Sequence, residues 1–535
     1  MLRAMTPRRL PSLRRLGSVA AGLLLAATTL AWSAPAGAEQ PTDTTDSPDT
    51  PDFAEALDRA LADPRLDGAR AGVVVLDAAT GDTLYERGGD DRLMPASNTK
   101  LLTAAAALDI LGPDHRYRTE AVGAGRIRGG ELRGDLYLRG SGDPTMLAED
   151  YDAIAADVAA RGITRVRGDL VADDTRFDDV RLGRAWSWDG EADYYSAGIS
   201  ALTLAPDTDY DAGTVYVSAA PGRAAGDRPV VTLTPANDHV AVVNRATTVP
   251  AGEPDTLSVT REHGAGALVV SGRIPVGAAP TTAWIAVDDP TAYATAVFAD
   301  ALAAHGVRVT GDTVLGRAAP ADATPLAAHE SMPLSELLVP FLKLSNNMHA
   351  EALVKTIGHR TAGRGTWSAG LAAIQRYAAG LGMDTGGFRQ VDGSGLSRMN
   401  LVPAAELATL LAAVRAEPWF DDWYRALPVA CAPDRLVGGT LRSRMCGTPA
   451  AGNVRAKTGS LTGATGLSGY VTTADGRELV FSVLLNDYLS GSPKDIEDTV
   501  VAALAASGGP APAPAARARP ESPELECSWL KPALC

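Results

Sequence analysis

Histidine and cysteine are scarce in this chain, with seven His and four Cys in 535 residues. No H-E-x-x-H pair is present, and Cys431, Cys446, Cys527 and Cys535 lack zinc-ligand spacing, so the sequence argues against a zinc peptidase and no metal or other cofactor is expected. Basic charge is also short: 49 Lys and Arg stand against 64 Asp and Glu, a net −15. The first 38 residues hold five of those arginines (Arg3, Arg8, Arg9, Arg14, Arg15) and no acid, so losing them takes the remaining chain to −20. That balance argues against a nucleic-acid partner, because little is left to grip phosphates. Long apolar runs are missing beyond the N-terminus, and none reaches the roughly 20 residues that cross a bilayer.

What the N-terminus does carry is an Arg-rich start, an apolar small-residue run from about Val19 to Trp32, and Ala36-Gly37-Ala38. This reads as an export signal cleaved after Ala38, spanning residues 1–38. The alternative, an anchor that stays, has an apolar run shorter than a spanning helix and Pro35 directly after it. The arginine pairs leave both the general and the twin-arginine export routes open. The expected location is therefore outside the cytoplasm, secreted or in the cell-wall space. There, two local disulfides, Cys431 to Cys446 and Cys527 to Cys535, are the economical pairing, with free thiols as the alternative.

Residues 39–52 are Pro, Thr, Asp and Ser without apolar periodicity, a solvated linker. From Phe53 to Ala62 apolar side chains recur at helical spacing, and Ala71 to Tyr85 predicts two strands around a turn at Ala79-Thr80-Gly81. From 116 to 324 the chain breaks into short alternating runs such as DLYL, TVYV and VVTL, a β-rich block with one helix expected at about Thr291 to Ala304. Helical patterns resume at Pro333, strands return at VRAKTG, LSGYVTT and ELVFSVLLN, and a helix over about Pro493 to Ala506 closes the fold. Residues 508–535 form a Pro/Ala-rich tail with a terminal Cys loop. Strands at both sequence ends need each other as partners, so residues 53–115 and 325–507 predict one discontinuous α/β unit, with 116–324 inserted into it.

The chemistry starts at Met94-Pro95-Ala96-Ser97-Asn98-Thr99-Lys100, a Pro-led start to an Ala/Leu-rich helix that stops at Gly112-Pro113. Lys100 lies at i+3 from Ser97, on the same helical face, so its amine can reach the hydroxyl. A serine needs a base to become a nucleophile, and a lysine serves only if burial and nearby cations lower its pKa. Ser-x-x-Lys alone is common in surface helices. Here Ser345-Asn346-Asn347 follows at the end of an apolar helix, and Lys457-Thr458-Gly459-Ser460 in a predicted strand, which is the motif set and order of the penicillin-binding proteins.

The chain thus resembles the low-molecular-mass, class C penicillin-binding proteins, peptidase family S13, of the D-Ala-D-Ala carboxypeptidase/endopeptidase kind. Further matches are LRGSGDPTM at Leu138 to Met146, SNNMHAE at Ser345 to Glu351 and VDGSGLSRMN at Val391 to Asn400. The resemblance implies a penicillin-binding-protein/β-lactamase-like transpeptidase domain, an antiparallel sheet with flanking helices, carrying a large β-rich insertion of two nested domains. It implies that Ser97 attacks the D-Ala-D-Ala carbonyl of peptidoglycan stem peptides, that Lys100 is the base, and that β-lactams acylate Ser97. Ser345 would pass a proton to the leaving amine, Asn347 would bind the substrate amide, and Lys457 would help to keep Lys100 neutral. The Ser97 and Ser460 amides are the candidate oxyanion hole. Thr458, Ser460 and Thr462, around Gly459, offer hydroxyls for the terminal carboxylate.

The resemblance also implies a specificity site for a diaminopimelic side chain at Trp186, Asp189, Tyr194, Arg398 and Leu461, with Asp189 meeting its amine and Arg398 its carboxylate. The plainer reading makes Trp186 and Tyr194 core aromatics and Asp189 a turn residue. His349 and Glu351 invite a metal reading, but no other His stands at ligand spacing. A β-lactamase or esterase on the same scaffold would need a second base for deacylation, and a non-catalytic wall-binding or β-lactam-sensing protein would not need the intact motif set.

Overall fold

Strands from the two ends of the chain meet in one five-stranded antiparallel sheet, in the order Arg455–Leu461, Ala464–Thr472, Glu478–Asn486, Arg70–Asp77, Thr83–Arg87. The structure is a computed structural model and describes residues 53–509. The expected export signal, the linker and the Cys527 to Cys535 loop lie outside the described residues.

The Arg70–Asp77 strand is apolar on both faces because both are covered, and its two-residue period sorts the faces. Val73 and Val75 pack with Phe481 and Leu485 against the helices Ala54–Leu61 and Lys494–Ala506. Val74 and Leu76 face the other way, into a core built with the helices Thr99–Leu111, Leu334–Lys343, Asn347–Ala362, Trp367–Gly380 and Ala404–Ala413. The Thr99–Leu111 helix is buried along most of its length, from Thr99 to Leu108, which explains why its sequence is nearly all Ala, Leu and Thr.

The chain leaves this unit after the Thr99–Leu111 helix and builds a seven-stranded mixed sheet from two segments, 118–173 and 308–330. Between these segments, residues 214–286 form three smaller sheets, so the second group of strands is nested within the first. The helix expected near Thr291 runs Pro290–Ala304. A second helix, Ala148–Ala160, stands within a stretch whose sequence pattern reads as strands. It buries Tyr151, Ile154, Ala155 and Val158 at helical spacing, and the Asp150 carboxylate accepts the Leu147 N–H at 2.8 Å at its start. Among the described residues no helix is long and apolar enough to cross a membrane.

Candidate active site

Ser97 sits in a single 3₁₀ turn, Ala96–Asn98, that runs directly into the Thr99–Leu111 helix. This helix is anchored in the core, so its first turn is rigid. One turn on, Lys100 is fully buried and its Nζ lies 2.8 Å from Ser97 Oγ. The same nitrogen bonds Asn347 Oδ1 at 2.6 Å and the Ser394 carbonyl at 2.8 Å. Burial pulls the Lys100 amine down to about 7, against the opposing pull of the Glu351 and Asp392 carboxylates. An amine poised there is available as a proton acceptor near neutral pH.

The second motif joins two helices. Leu334–Lys343 ends just before Ser345, whose φ of 59° turns the chain, and Asn347 starts the next helix. Asn346 caps that helix, accepting the His349 N–H at 3.2 Å, and its amide donates to the Tyr210 carbonyl at 2.9 Å and to Asp211 at 3.0 Å. Segments of the insertion thus touch the motif. Asn347 Nδ2 donates to the Tyr195 carbonyl at 2.8 Å, which fixes the amide with its oxygen toward Lys100.

The third motif lies on the edge strand Arg455–Leu461. Lys457 is buried and donates to Ser345 Oγ at 2.8 Å and to the Thr458 carbonyl at 2.9 Å. Burial first, and then the neighbouring Lys100 charge, hold it well below the usual lysine value. The Ala456 N–H points off the outer side of the strand to the Pro428 carbonyl. Backbone groups alternate along a strand, so the Thr458 and Ser460 N–H groups share that outer side, the side of the cleft. On the sheet face at Gly459 the chain that carries Ser97 packs closely: a Cβ there would come 2.7 Å from the Pro95 carbonyl and 2.7 Å from Asn98 Nδ2. A Cβ on its cross-strand partner Gly466 would also come 2.7 Å from the Asn98 amide, so the two paired glycines make room for the turn that carries Ser97.

One cleft gathers Ser97, Ser345, Asn347, Thr458 and Ser460 with Thr440, Tyr194, Tyr195 and Asp211. Thr440 and Asp211 lie outside every sequence motif; Thr458 Oγ1 donates to Thr440 Oγ1 at 2.8 Å. Thr462 stands just past the strand and is exposed, with its carbonyl accepting from Arg398 Nη1 at 2.9 Å. It lines a neighbouring cleft of about 640 Å³ together with Asp189, Tyr194, Arg398 and Leu461. Four of the five specificity candidates therefore come together, with Tyr194 on the wall between the two clefts. Trp186 does not line that cleft: its Nε1 donates to Asp392 at 3.0 Å and its ring meets Trp367 edge-on.

The VDGSGLSRMN segment, Val391 to Asn400, is a loop organised by two buried carboxylates. Asp392 accepts N–H bonds from Gly395 at 2.9 Å, Ser397 at 2.6 Å and the Asn400 side chain at 2.7 Å. Glu351 accepts from Gly393 at 2.9 Å, Ser394 at 2.8 Å and Trp367 Nε1 at 2.7 Å. Burial and the Asp392 charge push the Glu351 carboxyl up to about 7. His349, the other half of the metal reading, contacts the Tyr210 carbonyl at 3.0 Å and is held down at about 4 by burial, so it is a neutral packed imidazole. Cys431 and Cys446 are bridged, with Cα atoms 5.0 Å apart.

Residues 53–507 match the model of the D-Ala-D-Ala carboxypeptidase 3 (S13) family. The chain is 48% identical over 485 residues to a D-alanyl-D-alanine carboxypeptidase of Actinomadura sp. (strain R39), covering 89% of each. It is 25% identical over 443 residues to the D-alanyl-D-alanine carboxypeptidase DacB of Haemophilus influenzae, covering 82% of this chain and 90% of the relative. The crystal structure of penicillin binding protein 4 (dacB) from the same organism superposes with a TM-score of 0.71 at 25% identity, covering 83% of this chain and 97% of that one.

Proposed function

Because the chain belongs to the D-Ala-D-Ala carboxypeptidase (S13) family, we propose that it is a serine carboxypeptidase that removes the terminal D-Ala from peptidoglycan stem peptides through an acyl-enzyme on Ser97. The observation that carries this reading is the contact of a buried Lys100 amine, lowered to about 7, with the Ser97 hydroxyl at 2.8 Å.

Neutral Lys100 takes the Ser97 proton as Oγ attacks the penultimate D-Ala carbonyl, and the Ser97 and Ser460 amides receive the oxyanion. The proton taken by Lys100 passes through Ser345, which is joined to Lys457 at 2.8 Å, to the departing D-Ala amine, and Lys100 is neutral again. Water then attacks the ester as Lys100 takes one of its protons, and Lys100 returns a proton to the departing Ser97 Oγ, which restores the free hydroxyl and the neutral amine. Thr458, Thr440 and Ser460 hold the substrate carboxylate. A cross-linked peptide whose amine leaves in place of D-Ala uses the same steps, so endopeptidase activity fits the site. A β-lactam presents a reactive amide to the same nucleophile, and the related penicillin binding protein 4 (dacB) of Haemophilus influenzae has been crystallised in complex with a β-lactam.

Asp189 and Arg398 bind the amine and carboxylate at the end of a diaminopimelic side chain, on an apolar floor that includes Leu461. The activity belongs outside the cytoplasm, where peptidoglycan lies. We divide the chain into a catalytic domain over 53–115 and 325–507 and an inserted pair of domains over 116–324, which supplies Asp189, Tyr194 and Asp211 to the two clefts.

The test is release of D-Ala from a stem-peptide mimic. Wild type should release it, and Ser97→Ala should not. Equal release by the two proteins would sink the assignment of the nucleophile.

A further inference from the structure

We propose that the cleft between the inserted seven-stranded sheet and the C-terminal end of the Asn347–Ala362 helix is an oxyanion-binding site, distinct from the two clefts around Ser97 and suited to a phosphate or carboxylate group. The cleft measures about 550 Å³ and is lined by Arg116, Arg118, Arg139 and Arg176, by His115 and His359, and by only two acids, Glu120 and Asp173.

An inventory of partners makes the surplus clear. Glu120 is taken up by Arg118 at 2.6 Å and Arg139 at 2.5 Å, and Arg118 pairs also with Glu330 at 2.8 Å, so the surplus rests on Arg116 and Arg176. The Asp173 carboxylate accepts from Thr175, through N–H and hydroxyl, and from the Ala319 N–H. Arg116 has only a neutral carbonyl, that of Ser331, at 2.6 Å. Arg176 is an exposed side chain with no hydrogen bond or ion pair to protein among the described residues, and the His115 Nε2 atom is buried without a partner. Arg116 and Arg176 therefore present guanidinium N–H groups to a cavity whose own acceptors are already committed, and an oxyanion would engage them in place of water.

The local field agrees with the inventory. Burial and then the Arg176 charge hold both His115 and His359 below the usual imidazole value, with Arg360 adding to the effect at His115. The net acidity of the chain conceals this concentration, because net charge says nothing about how charge is distributed. Planar guanidinium groups suit bidentate oxyanions better than spherical halides.

The test is isothermal titration of the full-length protein with pyrophosphate and, separately, with citrate, on wild type and Arg176→Gln. Binding of either probe that saturates at one per chain and weakens by at least about tenfold in Arg176→Gln supports the site; the probe that binds more tightly identifies the phosphate or the carboxylate source. Absence of saturable binding by both, or equal binding by the variant, overturns it. Unchanged benzylpenicillin acylation of Arg176→Gln serves as the check that the variant is folded.

Discussion

Lys100 Nζ lies 2.8 Å from Ser97 Oγ and, at the same time, 2.8 Å from the carbonyl of Ser394, a residue of the Val391 to Asn400 loop. The amine is thus aimed by a part of the chain nearly three hundred residues away, and the buried Glu351 carboxylate holds that part in place through the Gly393 and Ser394 N–H groups. The base and its setting are built separately, and each can be perturbed separately.

The first expectation concerns pH. Lys100 accepts the Ser97 proton only as the free amine, so acylation by benzylpenicillin should be slow well below pH 7 and rise to a plateau above it, tracking an amine poised at about 7. Lys100→Ala should lower the acylation rate by about 10²–10⁴. Stopped-flow acylation across pH measures both, and a flat profile would remove Lys100 from the role of base.

Glu351→Gln separates positioning from charge. The Glu351 carboxylate raises the Lys100 pKa, so its loss should move the rising limb of that profile to lower pH. The Gln also replaces an acceptor of three N–H bonds by one with a single oxygen, so the plateau rate should fall as well. An unmoved limb with only a lower plateau would confine Glu351 to a structural role.

Gly459→Ala introduces a Cβ 2.7 Å from the Pro95 carbonyl, which has no flexible way to yield. Acylation should fall steeply while the protein stays folded by circular dichroism, because the collision is with the turn that bears Ser97. A fully active variant would show that the turn has more freedom than this packing implies.

The Cys431–Cys446 bridge closes a loop with a sequence separation of 15. On the chain-entropy model its removal should cost about 3 kcal/mol. Denaturation of the Cys431→Ala/Cys446→Ala protein against wild type measures this, and non-reducing peptide mapping should recover the two half-cystines joined.

The specificity cleft has its own prediction. Substituting Asp189→Ala or Arg398→Ala should reduce kcat/KM for a peptide with a free diaminopimelic end more than for one whose side-chain amine is blocked. Equal losses would reduce both residues to structural parts.

What could be read in the sequence was local. The i, i+3 step from Ser97 to Lys100, the Ser345-Asn346-Asn347 helix junction and the Lys-Thr-Gly strand each obey a backbone period, and the apolar run VVVL declares a strand covered on both faces. What could not be read depends on distant segments. Asp211 and the Ser394 carbonyl reach the site from loops and Thr440 from the single 3₁₀ turn Gly439–Leu441, none long enough to show a period, and nothing in the order of residues announces that Glu351 caps a loop forty residues on. Trp186 carried an aromatic, polar signal that suited a ligand wall as well as a buried brace; its bond to Asp392 makes it a brace of the loop beside Lys100. The Ala148–Ala160 helix was hidden because its alanine-rich sequence lies among strand-like runs, although its buried positions follow the helical period.

The central claim, a Ser97 acyl-enzyme, is tested most directly by intact-mass measurement after incubating wild type and Ser97→Ala with benzylpenicillin. The account predicts a single lasting adduct on wild type and none on the variant. An adduct that persists in Ser97→Ala would contradict it, and so would rapid penicillin turnover with no adduct on wild type, which is the behaviour of a β-lactamase.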